Sequence, residues 1–151
     1  MATHTGGTPR HHGDDESVGQ SMQDHDSHEG HDHGEDDELG ACIEECLNCH
    51  IVCTLTAQQA ISEGGQLADP NLIGVLMDCA EICQTSANFM LRGSPYHAIT
   101  CAACAAICRE CAEGCRSIEG NEDMAHCAEA CERCAEHCER MAEGGEEDEA
   151  A

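Results

Sequence analysis

The cysteines of this chain form regularly spaced rows of the kind that could bind metal ions. The longest row is Cys101, Cys104, Cys108, Cys111 and Cys115, with steps of 3, 4, 3 and 4 residues. This alternation is typical of the inward seam of a helix in a bundle, where Leu or Ile is normally found. Because residues at i, i+3 and i+4 share one helix face, each step directs two sulfurs to the same region of the core.

Three further rows repeat this spacing elsewhere in the chain. Two of them have steps of 4, 3 and 4 residues, and a shorter one lies between them, so that the 15 cysteines fall on three full rows and one short row. A core surface made of thiols at such regular positions is not the pattern of cysteines that only fill space. The remaining rows are Cys42, Cys46, Cys49 and Cys53, then Cys79 and Cys83, and finally Cys127, Cys131, Cys134 and Cys138.

Rows of two or three thiolates on rigid helices favour Cu(I) among the biological metals, because soft ligands in low coordination suit that ion. Zn(II) prefers a closed tetrahedron of four ligands. Repetition of the spacing along the helices implies many ions per chain. We therefore expect storage or sequestration of Cu(I), in copper homeostasis and detoxification, and not a single catalytic centre.

Cysteine-rich helices are also compatible with functions other than copper storage. A zinc or general heavy-metal thiolate buffer is the main alternative, and an iron–sulfur electron-transfer protein is a further one. The spacing Cys-x2-Cys-x2-Cys-x3-Cys-Pro of iron–sulfur proteins is absent, and no cysteine precedes proline. Neighbours on one helix face are poorly placed to form disulfides, and the number of cysteines is odd. No pair of base and nucleophile suggests an enzyme.

The sequence also indicates where the cysteine rows end. The same rhythm leads upstream from Cys101 to His97, downstream from Cys138 to Met141, and from Cys83 through Ser86 to Met90. In an antiparallel bundle Met90, His97 and Met141 meet at one end, where thioether and imidazole would bind Cu(I) more weakly than thiolate. We expect this end to be the entrance for metal. The opposite end should be packed by apolar side chains, namely Leu55, Ala60, Ile61, Leu72, Leu76 and Ile118.

Helix boundaries follow from capping and helix-stopping residues. The first helix is predicted from about Leu39 to Glu63, before Gly64-Gly65. Asp69 and Pro70 are a strong start signal for a second helix, which runs to about Arg92 and stops at Gly93.

The last two helices carry similar signals. Ser94-Pro95 is expected to start the third helix, which ends near Gly120. Asn121 caps the fourth helix, and Gly144-Gly145 ends it. Connections of two to six residues make consecutive helices antiparallel neighbours. The predicted fold is all-α, an up-down-up-down four-helix bundle with a cysteine-lined core over residues 39–145.

The two ends of the chain differ in composition from the bundle. Residues 1–38 carry seven histidines and 11 acidic residues with few apolar side chains, so that disorder is expected there. The run from His25 to His33 could bind Cu(II), Zn(II) or Ni(II) weakly. Residues 146–151 are predicted to be an acidic tail.

Charge excludes several partners. The net charge is −25 at pH 7, with six arginines and no lysine, which excludes nucleic acid and anionic membranes as binding partners. No run of about 18 apolar residues predicts a membrane span, and no export signal is recognised. A cytoplasmic location is expected, where a reducing environment favours metal binding over structural disulfides.

The segments Cys101–Cys115 and His126–Cys138 resemble the copper storage proteins, a family of cysteine-rich four-helix bundles, and the resemblance covers about residues 40–143. It implies Cu(I) held by mostly two-coordinate thiolates in a preformed bundle, often in a homotetramer. It also implies His and Met ligands at the open end, for which Met90, His97 and Met141 are candidates, and delivery of copper by a small thiol or a copper chaperone. The short second row, the His-rich extension and the strong negative charge depart from the family pattern.

Overall fold

The computed structural model describes residues 34–150, with side chains described for residues 37–144. Within this range the chain forms four α-helices, one short 3-10 helix and no strand, which confirms the predicted all-α fold. The helices are α1 (Gly34–Glu63), α2 (Pro70–Leu91), α3 (His97–Arg116) and α4 (Glu122–Ala150), and the 3-10 helix is Gly65–Ala68.

The helices run antiparallel around a shared core. The Sγ atom of Cys42, near the start of α1, lies 3.7 Å from the Sγ atom of Cys138, near the end of α4. Cys53, further along α1, lies 3.7 Å from Cys127, near the start of α4. We call the end of the bundle where α2 finishes and α3 begins the His97 end, and the opposite end the Leu72 end.

The predicted boundary between α1 and α2 is confirmed. Helix α1 ends at Glu63, and Gly64 and Gly65 follow with positive φ angles of 73° and 61°. The side chain of Asp69 accepts hydrogen bonds from the backbone N–H groups of Asn71 and Leu72 at 3.0 and 3.1 Å. These contacts satisfy two of the free N–H groups at the start of α2.

The predicted start of α3 at Ser94-Pro95 is wrong. Helix α3 begins at His97. The Ser94 hydroxyl accepts a hydrogen bond from the Tyr96 N–H at 3.0 Å, which closes a local turn two residues before the helix. Since Ser94 caps this turn and not the helix, the first helical residue moves to His97.

Three other predicted boundaries also differ from the structure. Helix α1 begins at Gly34 and not at Leu39, because the acidic residues before Leu39 suit a helix N-terminus. Helix α3 ends at Arg116 and not near Gly120, and the Ser117 hydroxyl donates a hydrogen bond to the Gly114 carbonyl at 2.7 Å.

Helix α4 starts as predicted, because Asn121 Oδ1 accepts a hydrogen bond from the Met124 N–H at 3.0 Å. It does not stop at Gly144-Gly145, since it continues to Ala150. Each glycine costs a helix only about 1 kcal/mol relative to alanine, and no proline follows to end the helix. The predicted acidic tail therefore begins inside α4.

Alanine and cysteine dominate the core. Leu72, Leu76 and Ala60 are buried as expected at the Leu72 end, and Ile118 is partly buried. The prediction for two residues of α1 is wrong, because the side chains of Leu55 and Ile61 are 64% and 49% exposed. The seam of α1 continues from Cys53 to Thr56, Ala57 and Ala60, so that Leu55 and Ile61 lie off the face that packs inward.

Of the predicted N-terminal tail, residues 1–33 and their histidines lie outside the described residues, whereas residues 34–38 belong to α1. The described helices include none that is long and apolar enough to cross a membrane.

Candidate metal centre

Every cysteine of the four rows lies in the core. All of them are free thiols with 0% exposure of the residue to solvent. The helical periodicity of the rows therefore places each thiol on the inward face of its helix, as the spacing predicts. The bundle thus encloses a column of sulfur atoms that runs along its axis.

Close contacts between sulfur atoms link all four helices. Near the His97 end Cys138 Sγ lies 3.7 Å from Cys42 Sγ and 3.5 Å from Cys46 Sγ. In the next layer Cys134 Sγ lies 3.6 Å from Cys46 Sγ and 3.8 Å from Cys83 Sγ. Helices α1, α2 and α4 therefore each contribute a sulfur to this region.

The contacts continue toward the Leu72 end. Cys79 Sγ lies 3.6 Å from Cys108 Sγ and 3.8 Å from Cys49 Sγ. Cys53 Sγ lies 3.6 Å from Cys131 Sγ and 3.9 Å from Cys49 Sγ. Because these distances are close to van der Waals contact, a monovalent ion could pass from one thiol pair to the next with small side-chain movements.

The sulfurs form five groups, and within each group all the Sγ atoms lie within 4.8 Å of one another. Neighbouring groups share cysteines: Cys138, Cys134 and Cys49 each belong to two groups, as do Cys53 and Cys131. Cys115 belongs to none of them. From the His97 end the groups are Cys42/Cys101/Cys138, then Cys46/Cys104/Cys134/Cys138, then Cys49/Cys83/Cys108/Cys134, then Cys49/Cys53/Cys79/Cys131, and finally Cys53/Cys111/Cys127/Cys131.

At each end of the column the pKa of one thiol is lowered and that of another is raised: Cys101 is lowered and Cys42 raised at the His97 end, and Cys127 is lowered and Cys115 raised at the Leu72 end. Hydrogen bonds with Cys138 and Cys42, together with the nearby His97, lower the pKa of Cys101 to about 3. Hydrogen bonds with Cys111 and Cys127, together with burial, raise the pKa of Cys115 above its ordinary value. The thiolate is the form that binds metal, so that loading displaces the protons of these thiols.

The structure brings two of the three predicted entrance residues next to Cys101. Met90 is buried, and its Sδ accepts a hydrogen bond from Cys101 Sγ at 3.8 Å. His97 is half-buried, and its Nδ1 donates to the Ser94 carbonyl at 3.1 Å, which leaves Nε2 as the nitrogen with a free lone pair. Met141 is half-buried and packs against the core.

Two histidines beside the rows have other partners. His50 Nδ1 donates to the Ala80 carbonyl at 2.8 Å and so connects α1 with α2. His137 Nδ1 accepts a hydrogen bond from Arg140 Nη2 at 3.2 Å. Both lie beside cysteines of the rows but off the cysteine seam.

Two buried hydroxyl residues lie on the cysteine seams and were given no role from the sequence. Ser86 is 0% exposed, and its Oγ lies 3.4 Å from Cys101 Sγ. Thr56 is 7% exposed and occupies the position on α1 that follows Cys53 in the rhythm. In the sequence, each is recognisable as a small hydroxyl residue at a position where the spacing of 3 and 4 residues predicts a thiol.

Two surface cavities lie at the Leu72 end, away from Cys101. One, of about 610 Å³, is lined by residues that include Leu72, Val75 and Gly114. The other, of about 580 Å³, is lined by residues that include Cys115 and Glu119. Neither contains one of the five cysteine groups.

The fold and the sulfur column define a class of helical-bundle protein with a thiol-lined metal-binding core. The family model described as copper storage protein matches residues 35–143, and the chain belongs to that family.

Solved structures of relatives agree with this assignment. The Nmul_A1745 protein of Nitrosospira multiformis is 42% identical, with a TM-score of 0.67 over 71% of this chain and 96% of its own. The Cu(I)-bound copper storage protein BsCsp3 of Bacillus subtilis is 33% identical, with a TM-score of 0.66 over 70% of this chain and 98% of its own. A cytosolic copper storage protein of Streptomyces lividans with five coppers is 33% identical, with a TM-score of 0.65 over 70% of this chain and 92% of its own.

Burial of the thiols gives a direct prediction about their reactivity. In the metal-free protein, purified under anaerobic conditions, we expect all 15 thiols to react with a thiol reagent after denaturation. The folded protein should react far more slowly, because each buried thiol must wait for local opening of the bundle. Absorbance of the released chromophore measures both. A denatured count well below 15 would instead support the disulfide alternative.

Proposed function

We propose that this protein stores Cu(I) in the cytosol, and that it binds several ions per chain through thiolates in its core. The observation that carries the proposal is the sharing of cysteines between successive groups along the bundle. A store needs many similar sites in contact with one another, whereas a catalytic centre needs one defined site. We infer a role in copper homeostasis and detoxification, without an enzymatic activity.

The proposed ligands are the cysteines of the four rows together with three residues at the His97 end. The cysteines supply soft, low-coordinate sites, and the other three supply weaker ligands near the surface. They are Cys42, Cys46, Cys49, Cys53, Cys79, Cys83, Cys101, Cys104, Cys108, Cys111, Cys115, Cys127, Cys131, Cys134 and Cys138, with Met90, His97 and Met141.

Sharing of ligands favours Cu(I) over Zn(II). A zinc ion closes a tetrahedron with four ligands. Cys49 belongs to two groups of four, so that closed tetrahedra in both groups would have to share its thiolate as a bridge. Ions that need two or three thiolates can fill the same column more densely. The bound relatives point the same way, since one is Cu(I)-bound and another carries five coppers.

We propose that copper enters at the His97 end. Cys101 lies beside Met90 and one helical turn from His97, so that it offers the first thiol that an ion meets at this end. A small thiol or a copper chaperone would deliver the ion there. The ion then moves inward through Cys138 and Cys134, each of which belongs to two neighbouring groups. Binding to protonated thiols releases protons, so that acid should weaken loading.

The copper capacity of the reduced protein tests this function. In an anaerobic titration against a chromophoric Cu(I) chelator, we expect the chelator to stay colourless until about one ion per two thiols, up to about one per thiol, has been added. A Zn(II) titration against a chromophoric zinc chelator should saturate near one ion per four thiols. Colour after only one or two equivalents of Cu(I) would rule out a copper store and leave the zinc buffer as the remaining function.

Because some cysteines belong to two groups, we expect cysteine substitutions to differ in how far they lower the Cu(I) capacity. Cys49 belongs to two groups, whereas Cys115, an equally buried residue, belongs to none. Cys49→Ser should therefore lower Cu(I) capacity by more ions than Cys115→Ser, because one substitution removes a ligand from two sites. The same chelator titration measures both variants. Equal losses would show that the shared groups do not set the capacity.

We also propose that the chain forms a homo-oligomer. Four large apolar side chains on the outer surfaces of α1 and α2 are more than half exposed, namely Ile51, Leu55, Met77 and Leu91. Exposed apolar side chains of this kind are common in subunit interfaces. Light scattering during gel filtration should give a mass near four times 16.1 kDa if the oligomer is a tetramer. A mass of one chain would contradict the proposal.

A further inference from the structure

The cysteine group at the His97 end differs from the deeper groups in its number of thiols. The four deeper groups contain four cysteines each, whereas Cys42, Cys101 and Cys138 form a group of three. Helix α2 contributes no thiol to this group. At the two positions where α2 faces it, the chain carries Ser86 and Met90, both buried.

The hydrogen-bond direction between Ser86 and Cys101 follows from the neighbouring thioether. Met90 Sδ has no proton, so that Cys101 Sγ must be the donor in the contact of 3.8 Å between them. Cys101 has one proton to donate, and Ser86 Oγ lies 3.4 Å from the same sulfur. The Ser86 hydroxyl therefore donates to Cys101 Sγ. It can continue to donate after Cys101 loses its proton.

The hydroxyl of Ser86 is a poor substitute for a fourth thiolate. A neutral oxygen is a hard ligand, and Cu(I) prefers soft sulfur. Ser86 thus occupies the position of a ligand without binding the ion strongly. Its contribution is to hold the Cys101 sulfur in place.

We propose that Ser86 is a positioning residue which fixes Cys101 and limits the group at the His97 end to three thiols, so that this group releases Cu(I) first. This inference rests on the proposed storage function. Because Cys138 also belongs to the next group, an ion that leaves the His97 end can be replaced from deeper in the column. The short row of α2, which contains only Cys79 and Cys83, would then set the rate of copper release as well as the number of ions bound.

Two substitutions with opposite expected effects test the proposal. Cu(I)-loaded protein is mixed with excess chelator under anaerobic conditions, and the fast phase of copper release is followed by absorbance. Ser86→Cys supplies a fourth thiol and should slow the fast phase about tenfold or more. Ser86→Ala removes the hydrogen bond to the metal-binding Cys101 sulfur and should accelerate the fast phase about tenfold. If Ser86 had only a structural role, both substitutions would change the rate of the fast phase in the same direction.

Thr56→Cys is the matched control. It also replaces a buried hydroxyl on a cysteine seam by a thiol, but at the Leu72 end. We expect it to leave the rate of the fast phase as in the wild type. Far-UV circular dichroism of all three variants checks that the bundle is intact.

The outcomes separate this inference from the function on which it rests. If the wild-type protein holds several Cu(I) ions but neither Ser86 variant changes the fast phase, or if Thr56→Cys slows it equally, the role of Ser86 is wrong and storage stands. If the wild-type protein does not retain Cu(I) against the chelator, the proposed storage function itself fails.

Discussion

Close packing of buried thiols is the constraint on which the rest of this structure depends. The core contains few large side chains, and its sulfurs approach one another to distances as short as 3.5 Å. A free cysteine behaves as a small hydrophobic residue, so that the metal-free bundle can bury these side chains without a metal. Small residues such as Ala57 and Ala128 let the helices approach closely. Packing and metal binding therefore use the same atoms.

The distribution of charge is consistent with this arrangement. Three arginines bridge helices on the outside, as in the two-point contact of Arg109 with Glu139 between α3 and α4. Such exposed pairs contribute little to the free energy of unfolding, because water screens them. The bundle is therefore held mainly by its core, and the surface carboxylates remain free to keep the protein in solution and to attract cations.

Sequence periodicity predicted the inward face of each helix, because that face depends only on spacing within one element. The Asp69 cap and the glycines after α1 were predicted for the same local reason. Leu55 and Ile61 were assigned wrongly, since their burial depends on how far α1 is rotated about its axis. The contact of Ser86 with Cys101 could not be predicted either. It depends on the axial stagger of α2 against α3, and no spacing within a single helix encodes that stagger.

Charge balance in the core connects the packing to the choice of ion. A buried thiol is neutral, and replacement of its proton by one Cu(I) leaves the site neutral. A Zn(II) ion with four thiolates would leave two negative charges in a medium where buried charge is costly. That cost would rise with each further zinc site along the column, and the surrounding surface already carries most of a net charge of −25. Exchange of one monovalent ion for one proton avoids this accumulation at a loading of one ion per thiol, where neighbouring ions share thiolates. A loading of one ion per two thiolates leaves a single negative charge for each ion, half that of a zinc site with four thiolates.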